Sequence, residues 1–306
     1  MIKRTIEISQ RPAHVAVRLD QLRLERGANG ETDPDTPSIP CEDIGVLLVD
    51  HPSTTYTHAA LTRLLEHGAA VVLCGRNHLP AGLLLPVGEH SEIVWRVNDQ
   101  LALTKPRRKQ LWQQIVVAKI AAQAAALAGD HADAARRLRG LARRVRSGDP
   151  DNVEATAARA YWAAWRREIP AFRRDPDASD ANALLNYGYA VMRAAVARAL
   201  VAAGLLPALG LKHANRSNAF CLADDLVEPL RPLVDARTRT LWRQGATQLD
   251  QPTKAPLLEL LTATVRVGDH TGPLMVGLHR TVASLIRCYR GQDKRLLLPV
   301  AVEDES

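Results

Sequence analysis

Apolar and polar residues alternate at period two through the first part of the chain. Ile2, Ile6 and Ile8, then Val15, Val17 and Leu19, and then Leu22 and Leu24 are set between polar neighbours. That spacing predicts half-buried strands. Glu25 to Pro40 carries Gly, Asn, Asp, Thr and three prolines, which predicts a loop or loose hairpin. Ile44 to Val49 is a continuous apolar run and fits a buried strand. Thr57 caps an expected helix through Glu66, stopped by Gly68. Ala70 to Cys74 and Gly82 to Val87 return to extended chain.

Beyond a boundary expected around residues 95 to 105 the spacing changes to that of helices. Pro106 suits the first turn of a helix through Trp112, Ile115, Ile120 and Leu127. Asp133 to Val145 reads as an arginine-rich helix. Asp149-Pro150 reads as a cap and first-turn proline leading into a helix that carries Glu154. Asp180 opens a long Ala-rich helix from Ala181 to Ala203, and Gly204 stops it. A polar loop through Pro207, Gly210 and His213 precedes a helix bearing Asp225 and Glu228. Pro229 and Pro232 each remove a backbone donor, so that helix is expected to kink or rewind there. Further helices are expected over Pro256–Val267 and Gly272–Tyr289, before an acidic tail. The pattern is α+β: a small N-terminal β-rich domain over residues 1–100 and a larger all-α domain over 101–306, with no internal repeat.

Composition narrows this picture. The chain has 306 residues, 46% of them apolar but only 4% aromatic, so an aliphatic core is expected. Forty lysines and arginines against 33 acidic residues leave a net charge of +7, which permits a polyanionic partner. Cys41, Cys74, Cys221 and Cys288 lie far apart without a C-x-x-C pair, so free thiols are expected rather than zinc or disulfides. The N-terminal residues lack a signal-peptide apolar region, and no stretch is long and apolar enough to cross a bilayer. A cytoplasmic protein without membrane contact is expected.

Candidate chemistry concentrates between His213 and Pro232. Asp225 and Glu228 are three apart, so both carboxylates face one side of a helix. A loop imidazole beside aligned carboxylates suits a divalent cation such as Mg²⁺ or Mn²⁺. Glu154 is the candidate third carboxylate. Each residue also has a plainer reading. Glu154 can pair with an arginine on its own or a neighbouring helix. Asp224, Asp225 and Glu228 can simply favour a helix dipole, and Ser217 and Asn218 can cap the same helix. Cationic residues recur over several turns at Arg136, Arg137, Arg143 and Arg144, as a helix following a phosphate backbone requires. Arg159, Lys212 and Arg216 add to that surface, and Lys105-Pro-Arg-Arg-Lys109 is a shorter run that a solvated face explains equally well.

The chain resembles the CRISPR-associated integrase family, the catalytic larger subunit of the spacer-acquisition complex, in its type II-C-like branch. The resemblance is carried by Thr57-His-Ala-Ala-Leu61, His67-Gly68-Ala-Ala-Val-Val-Leu-Cys74-Gly-Arg and Pro80-Ala-Gly-Leu-Leu-Leu-Pro86. Leu111-Trp-Gln-Gln-Ile-Val-Val-Ala-Lys119-Ile-Ala-Ala-Gln123, Asn152-Val-Glu154, Tyr161-Trp162, Leu184-Leu-Asn186-Tyr-Gly188-Tyr189 and the His213 to Pro232 block continue it. The segment from Phe172 to Asp180 is shortened and acidic relative to the family.

This resemblance implies a β-domain used for dimerisation and partner contact, joined to a helical catalytic domain. It implies metal ligands and catalytic residues at Glu154, His213 and Glu228, with Asp225 as a nearby acidic helper. The implied partners are double-stranded DNA, both incoming fragments and the repeat array, and the smaller adaptation subunit. Two homodimers would flank a dimer of that subunit in a heterohexamer, with the type II effector nuclease as a further contact. The implied reaction is metal-dependent: a 3′-hydroxyl attacks a phosphodiester at the repeat boundary, or water does so in nuclease action. A non-catalytic DNA-binding scaffold of the same complex, and a basic helical DNA-binding module unrelated to CRISPR, are the competing readings.

Overall fold

The period-two segments fold into two sheets that share one apolar filling. The computed structural model describes residues 3–25, 38–76, 78–86, 90–169, 172–175, 180–246 and 248–302. Ile2, most of the Glu25–Pro40 segment, Val87, residues 176–179 and the acidic tail lie outside the described residues. The first elements are β1 (Arg4–Ile8), β2 (His14–Arg18), β3 (Gln21–Glu25), β4 (Ser38–Pro40), β5 (Ile44–Val49) and β6 (Thr55–Tyr56). Helix α1 (His58–Glu66), β7 (Ala70–Cys74) and β8 (Pro80–Leu84) follow. One sheet has the order β1-β5-β7-β8, with β1, β5 and β7 parallel and β8 antiparallel; the other has the order β4-β3-β2-β6. Thr57 caps α1 as expected, its hydroxyl accepting from the Ala60 N–H at 3.1 Å.

Leu19 departs from the alternation. With Asp20 it forms the two-residue turn between β2 and β3, both at positive φ, and its side chain is 87% exposed. A turn with two left-handed residues matches the twist of a tight hairpin. The strand pattern therefore ends one residue earlier than the alternation suggests.

β5 explains why its six residues are all apolar. Val46 and Leu48 face the core of the helical region, whereas Ile44, Leu47 and Val49 face the core of the β-domain. A strand covered on both faces loses the polar half of the alternation. Val71 and Val72 of β7 divide in the same way.

The helical region comprises α2 (Ile93–Leu101), α3 (Lys105–Ala126), α4 (Ala132–Ala142), α5 (Val153–Glu168), α6 (Ala181–Ala202) and α7 (Cys221–Val227). One 3-10 turn, Glu228–Leu230, leads into α8 (Arg231–Arg243), α9 (Gln251–Glu259), β9 (Thr264–Val267), β10 (His270–Pro273), α10 (Leu274–Tyr289) and β11 (Val300–Ala301). The rewinding expected at the two prolines is that 3-10 turn. Three expectations change. The interval from 95 to 105 is largely helix α2. The region is not wholly α, because β10-β9-β11 form a small antiparallel sheet. The helix expected over Pro256–Val267 stops at Glu259, since Thr264-Val-Arg-Val267 buries alternate residues and turns at Gly268 (φ 66°). Pro150 also precedes α5 rather than entering it. Asp149 still caps the helix, its carboxylate accepting from the N–H groups of Val153 (2.9 Å) and Glu154 (3.0 Å).

The core is largely aliphatic, but Tyr161, Trp162, Trp165 and Phe172 cluster on and beside α5, with ring centroids 5.1 to 6.5 Å apart. All four cysteines are free thiols. Among the described residues no helix is long and apolar enough to cross a membrane.

Candidate active site

Helices α3, α5 and the 3-10 turn after α7 converge on a single cationic group. The Lys119 ammonium of α3 lies 2.6 Å from Glu154 Oε1 of α5 and 2.6 Å from Glu228 Oε2. It donates a hydrogen bond to Glu154, whereas the contact to Glu228 is an ion pair without hydrogen-bond geometry, leaving the buried Oε2 otherwise unsatisfied. The other oxygen of Glu228 accepts from Arg231 Nε at 3.0 Å. Burial works to raise the Glu228 carboxyl, but Arg231 and Lys119 outweigh it and hold it below the ordinary carboxylate value. Burial works to lower Lys119, and Glu228 and Glu154 outweigh it in the opposite direction. Glu228 and Lys119 therefore stay ionised throughout the neutral range.

His213 reaches the site from its loop through Asp225. The Asp225 carboxylate is wholly buried and accepts from the backbone N–H groups of Leu211 (2.6 Å), Lys212 (3.0 Å) and His213 (3.3 Å). Its Oδ1 also lies 2.7 Å from His213 Nδ1. That pairing fixes the ring and frees Nε2 as a ligand, the arrangement found around metal-bound histidines. The hydrogen bond to Asp225 raises the His213 pKa above its ordinary value. Gly210 makes the loop possible: a Cβ there would lie 2.3 Å from the His213 carbonyl oxygen and 3.0 Å from Asp225 Oδ2. Trp112 meets the His213 ring edge-on, with centroids 5.9 Å apart.

The structure brings Glu154 and Glu228 onto one cation and sets His213 beside them. Among the described residues it does not place three His, Cys, Asp or Glu side chains close enough to share a metal ion. Asp225 holds the loop rather than lining the cleft. Asp224 is likewise committed, to Arg193 (2.6 Å) and Asn218 (2.6 Å). Asn218 braces the entry to α7 by accepting from the Phe220 N–H, while Ser217 bonds Asn215 instead of capping. The donor set nevertheless suits a hard divalent cation. Two carboxylates already converge on a positive charge, one with an oxygen lacking any hydrogen bond, and an imidazole is oriented nearby.

Arg136, Arg137, Arg143, Arg144, Arg159, Lys212 and Arg216 are all exposed and form no ion pair among the described residues. The shorter basic run gains a context the sequence lacks. Lys105, Arg108 and Lys109 line a cavity of about 210 Å³ together with Trp112 and Lys212, next to the His213 loop. Three polar residues of the site went unassigned in the sequence: Lys119, Arg231 and Asp235. Lys119 carries a visible signal, a lone cation inside the apolar run from Ile115 to Ile120. Asp235 carries none; it is buried under Tyr189, whose hydroxyl donates to it.

The family model for CRISPR associated protein Cas1 matches residues 6–264. The CRISPR-associated endonuclease Cas1 of Neisseria meningitidis serogroup C is 39% identical over 278 residues, 90% of this chain and 88% of that protein. Among solved structures, a casposase bound to integration product superposes with TM-score 0.76 at 19% identity, covering 96% of this chain and 92% of the other. A Cas6-RT-Cas1–Cas2 complex gives TM-score 0.76 at 18% identity, covering 99% of this chain and 36% of the other. The structural likenesses establish the fold. The chain belongs to the CRISPR associated protein Cas1 family.

Proposed function

We propose that this chain is the catalytic subunit of CRISPR adaptation, a metal-dependent enzyme that joins 3′-hydroxyl ends of short DNA duplexes to a repeat array. Its class, CRISPR-associated endonuclease and integrase, follows from the family and from the relative at 39% identity. One observation carries the assignment of the site. Glu154 and Glu228 come from separate helices to a single cation, and Asp225 presents His213 from the adjoining loop.

Glu154, Glu228 and His213 Nε2 would hold Mg²⁺ or Mn²⁺. The bound cation supplies Lewis-acid polarisation of the phosphodiester and stabilises charge on its oxygens. The residues of the chain supply the rest. Asp225, paired with His213 Nδ1, would hold the ring proton there and leave the lone pair on Nε2. Arg231 neutralises the second oxygen of Glu228. Lys105, Arg108, Lys109 and Lys212 offer a cationic wall for phosphates, and the exposed Arg136, Arg137, Arg143 and Arg144 offer further cations. Such contacts position DNA without reading bases. The reading includes cytoplasmic operation, Cas2 as the smaller partner, a homodimer within a heterohexamer, and contact with the type II effector nuclease. Support for Cas2 is the likeness to a complex that contains it.

Strand transfer of a labelled duplex into a plasmid bearing the repeat array tests the reading, with Mn²⁺, Mg²⁺ or chelator, with and without Cas2. Joining by the native chain that needs metal and disappears in His213→Ala is the expected result. Tight DNA binding without joining under any condition would instead make the chain a scaffold.

A further inference from the structure

The cleft contains its own cation, and the residue that supplies it has somewhere else to go. Lys119 is only 14% exposed in its side chain and contacts both carboxylates at 2.6 Å. An ammonium and a divalent ion cannot occupy the same gap between two carboxylates, because they repel and compete for the same oxygens. One helical turn further along α3, Gln123 is 4% exposed and its Oε1 has no hydrogen-bond partner among the described residues. Lys119 and Gln123, spaced i and i+4, line the same cavity of about 180 Å³, together with Trp162, Glu228, Arg231 and Asp235. An unpaired buried acceptor is costly, and this one lines the same cavity as Lys119, the one lysine among its lining residues.

We infer that Lys119 is an exchangeable internal counter-ion, holding Glu154 and Glu228 together until a divalent cation takes its place, and then moving to Gln123. The inference rests on the metal-site reading above. It gives Lys119 a positioning role: without metal the two carboxylates stay assembled instead of repelling, and metal binding must first displace a buried ion pair. Removing the lysine therefore tightens metal binding. A purely structural lysine would loosen the site, and a lysine that only contacts DNA would leave metal affinity unchanged.

The test is Mn²⁺ binding to the full chain without DNA, followed by the electron paramagnetic resonance signal of free Mn²⁺. Lys119→Met is expected to bind about tenfold more tightly than the native chain, since the displaced pair no longer opposes binding. Gln123→Leu is expected to bind several-fold more weakly while Lys119 is present, and to have no effect in the Lys119→Met background. Equal or weaker affinity in Lys119→Met overturns the inference. Should that variant fail to fold, unchanged affinity in Gln123→Leu overturns it alone. Mn²⁺ binding that is indifferent to both Glu154→Ala and His213→Ala would sink the metal-site reading itself, which is a separate outcome.

Discussion

Asp235 shows how far a single buried group can deviate. Burial pushes its carboxyl up to about 6 from an ordinary 3.8, against the opposing hydrogen bond from Tyr189 and the nearby charge of Arg231. The folded protein thus holds this proton more tightly than the unfolded chain does. Its contribution to stability is complete below the unfolded value and is lost as pH rises through the folded one. About 3 kcal/mol should be lost between roughly pH 4 and pH 6. Asp235→Asn cannot titrate, so urea denaturation across that range should show its stability rising relative to the native chain. A parallel pH dependence in both would refute the assignment. Gly210 makes the second prediction at this scale. Gly210→Ala drives a methyl group into the His213 carbonyl, and a displacement of about 1 Å costs on the order of a hundredfold in rate. Single-turnover strand transfer should fall by that factor while circular dichroism stays native. His213, Asp225 and Glu228 were legible in the sequence because they sit in one short polar block. Lys119 stands out as a lone cation in an apolar run, but only the crossing of α3 with α5 gives it a partner. Nothing in the sequence marks Asp235, which is buried by packing across α8.

Among the elements, α4 and the residue that caps its C-terminus carry exposed arginines without ion pairs among the described residues. Arg136 and Arg143 lie seven residues apart, two turns along one exposed face. If both follow a phosphate backbone, changing both to alanine lowers the slope of log affinity against log salt by about 2. DNA-binding isotherms at several salt concentrations measure this, and an unchanged slope would make α4 a solvated face. Element type was readable wherever local spacing governs it. The two-sided burial of β5, the Thr57 cap and the rewinding beside Pro229 all follow from a few adjacent residues. The α9 to β10 region was misread because Pro256 and the apolar residues around it fit a helix locally. The strand pairing of β9 with both β10 and β11 decides its fate, and that contact spans the sequence. Leu19 fails for a similar reason: the hairpin closes there without the Asn-Gly pair that announces such turns.

At the scale of the whole molecule, a buried ion pair ties α9 to the β-domain. Lys254 donates to Asp50 at the end of β5, both side chains are nearly inaccessible, and His78 Nδ1 lies 3.0 Å from the same carboxylate. Asp50→Ala leaves the ammonium buried without a partner, which costs about 3–5 kcal/mol. Thermal or chemical denaturation should register that loss, and a change below about 1 kcal/mol would mean the lysine escapes to solvent. No local pattern announces this pair, since its members are separated by most of the chain.

β5 has a consequence for how the protein comes apart. Its alternate side chains fill two different interiors, so the strand is a common wall between them. Melting either compartment strips that wall from the other. Chains with two cores ordinarily melt in two steps, yet here the boundary has no independent surface to fall back on. Scanning calorimetry should therefore record a single endotherm, and limited proteolysis should yield no long-lived fragment corresponding to either half.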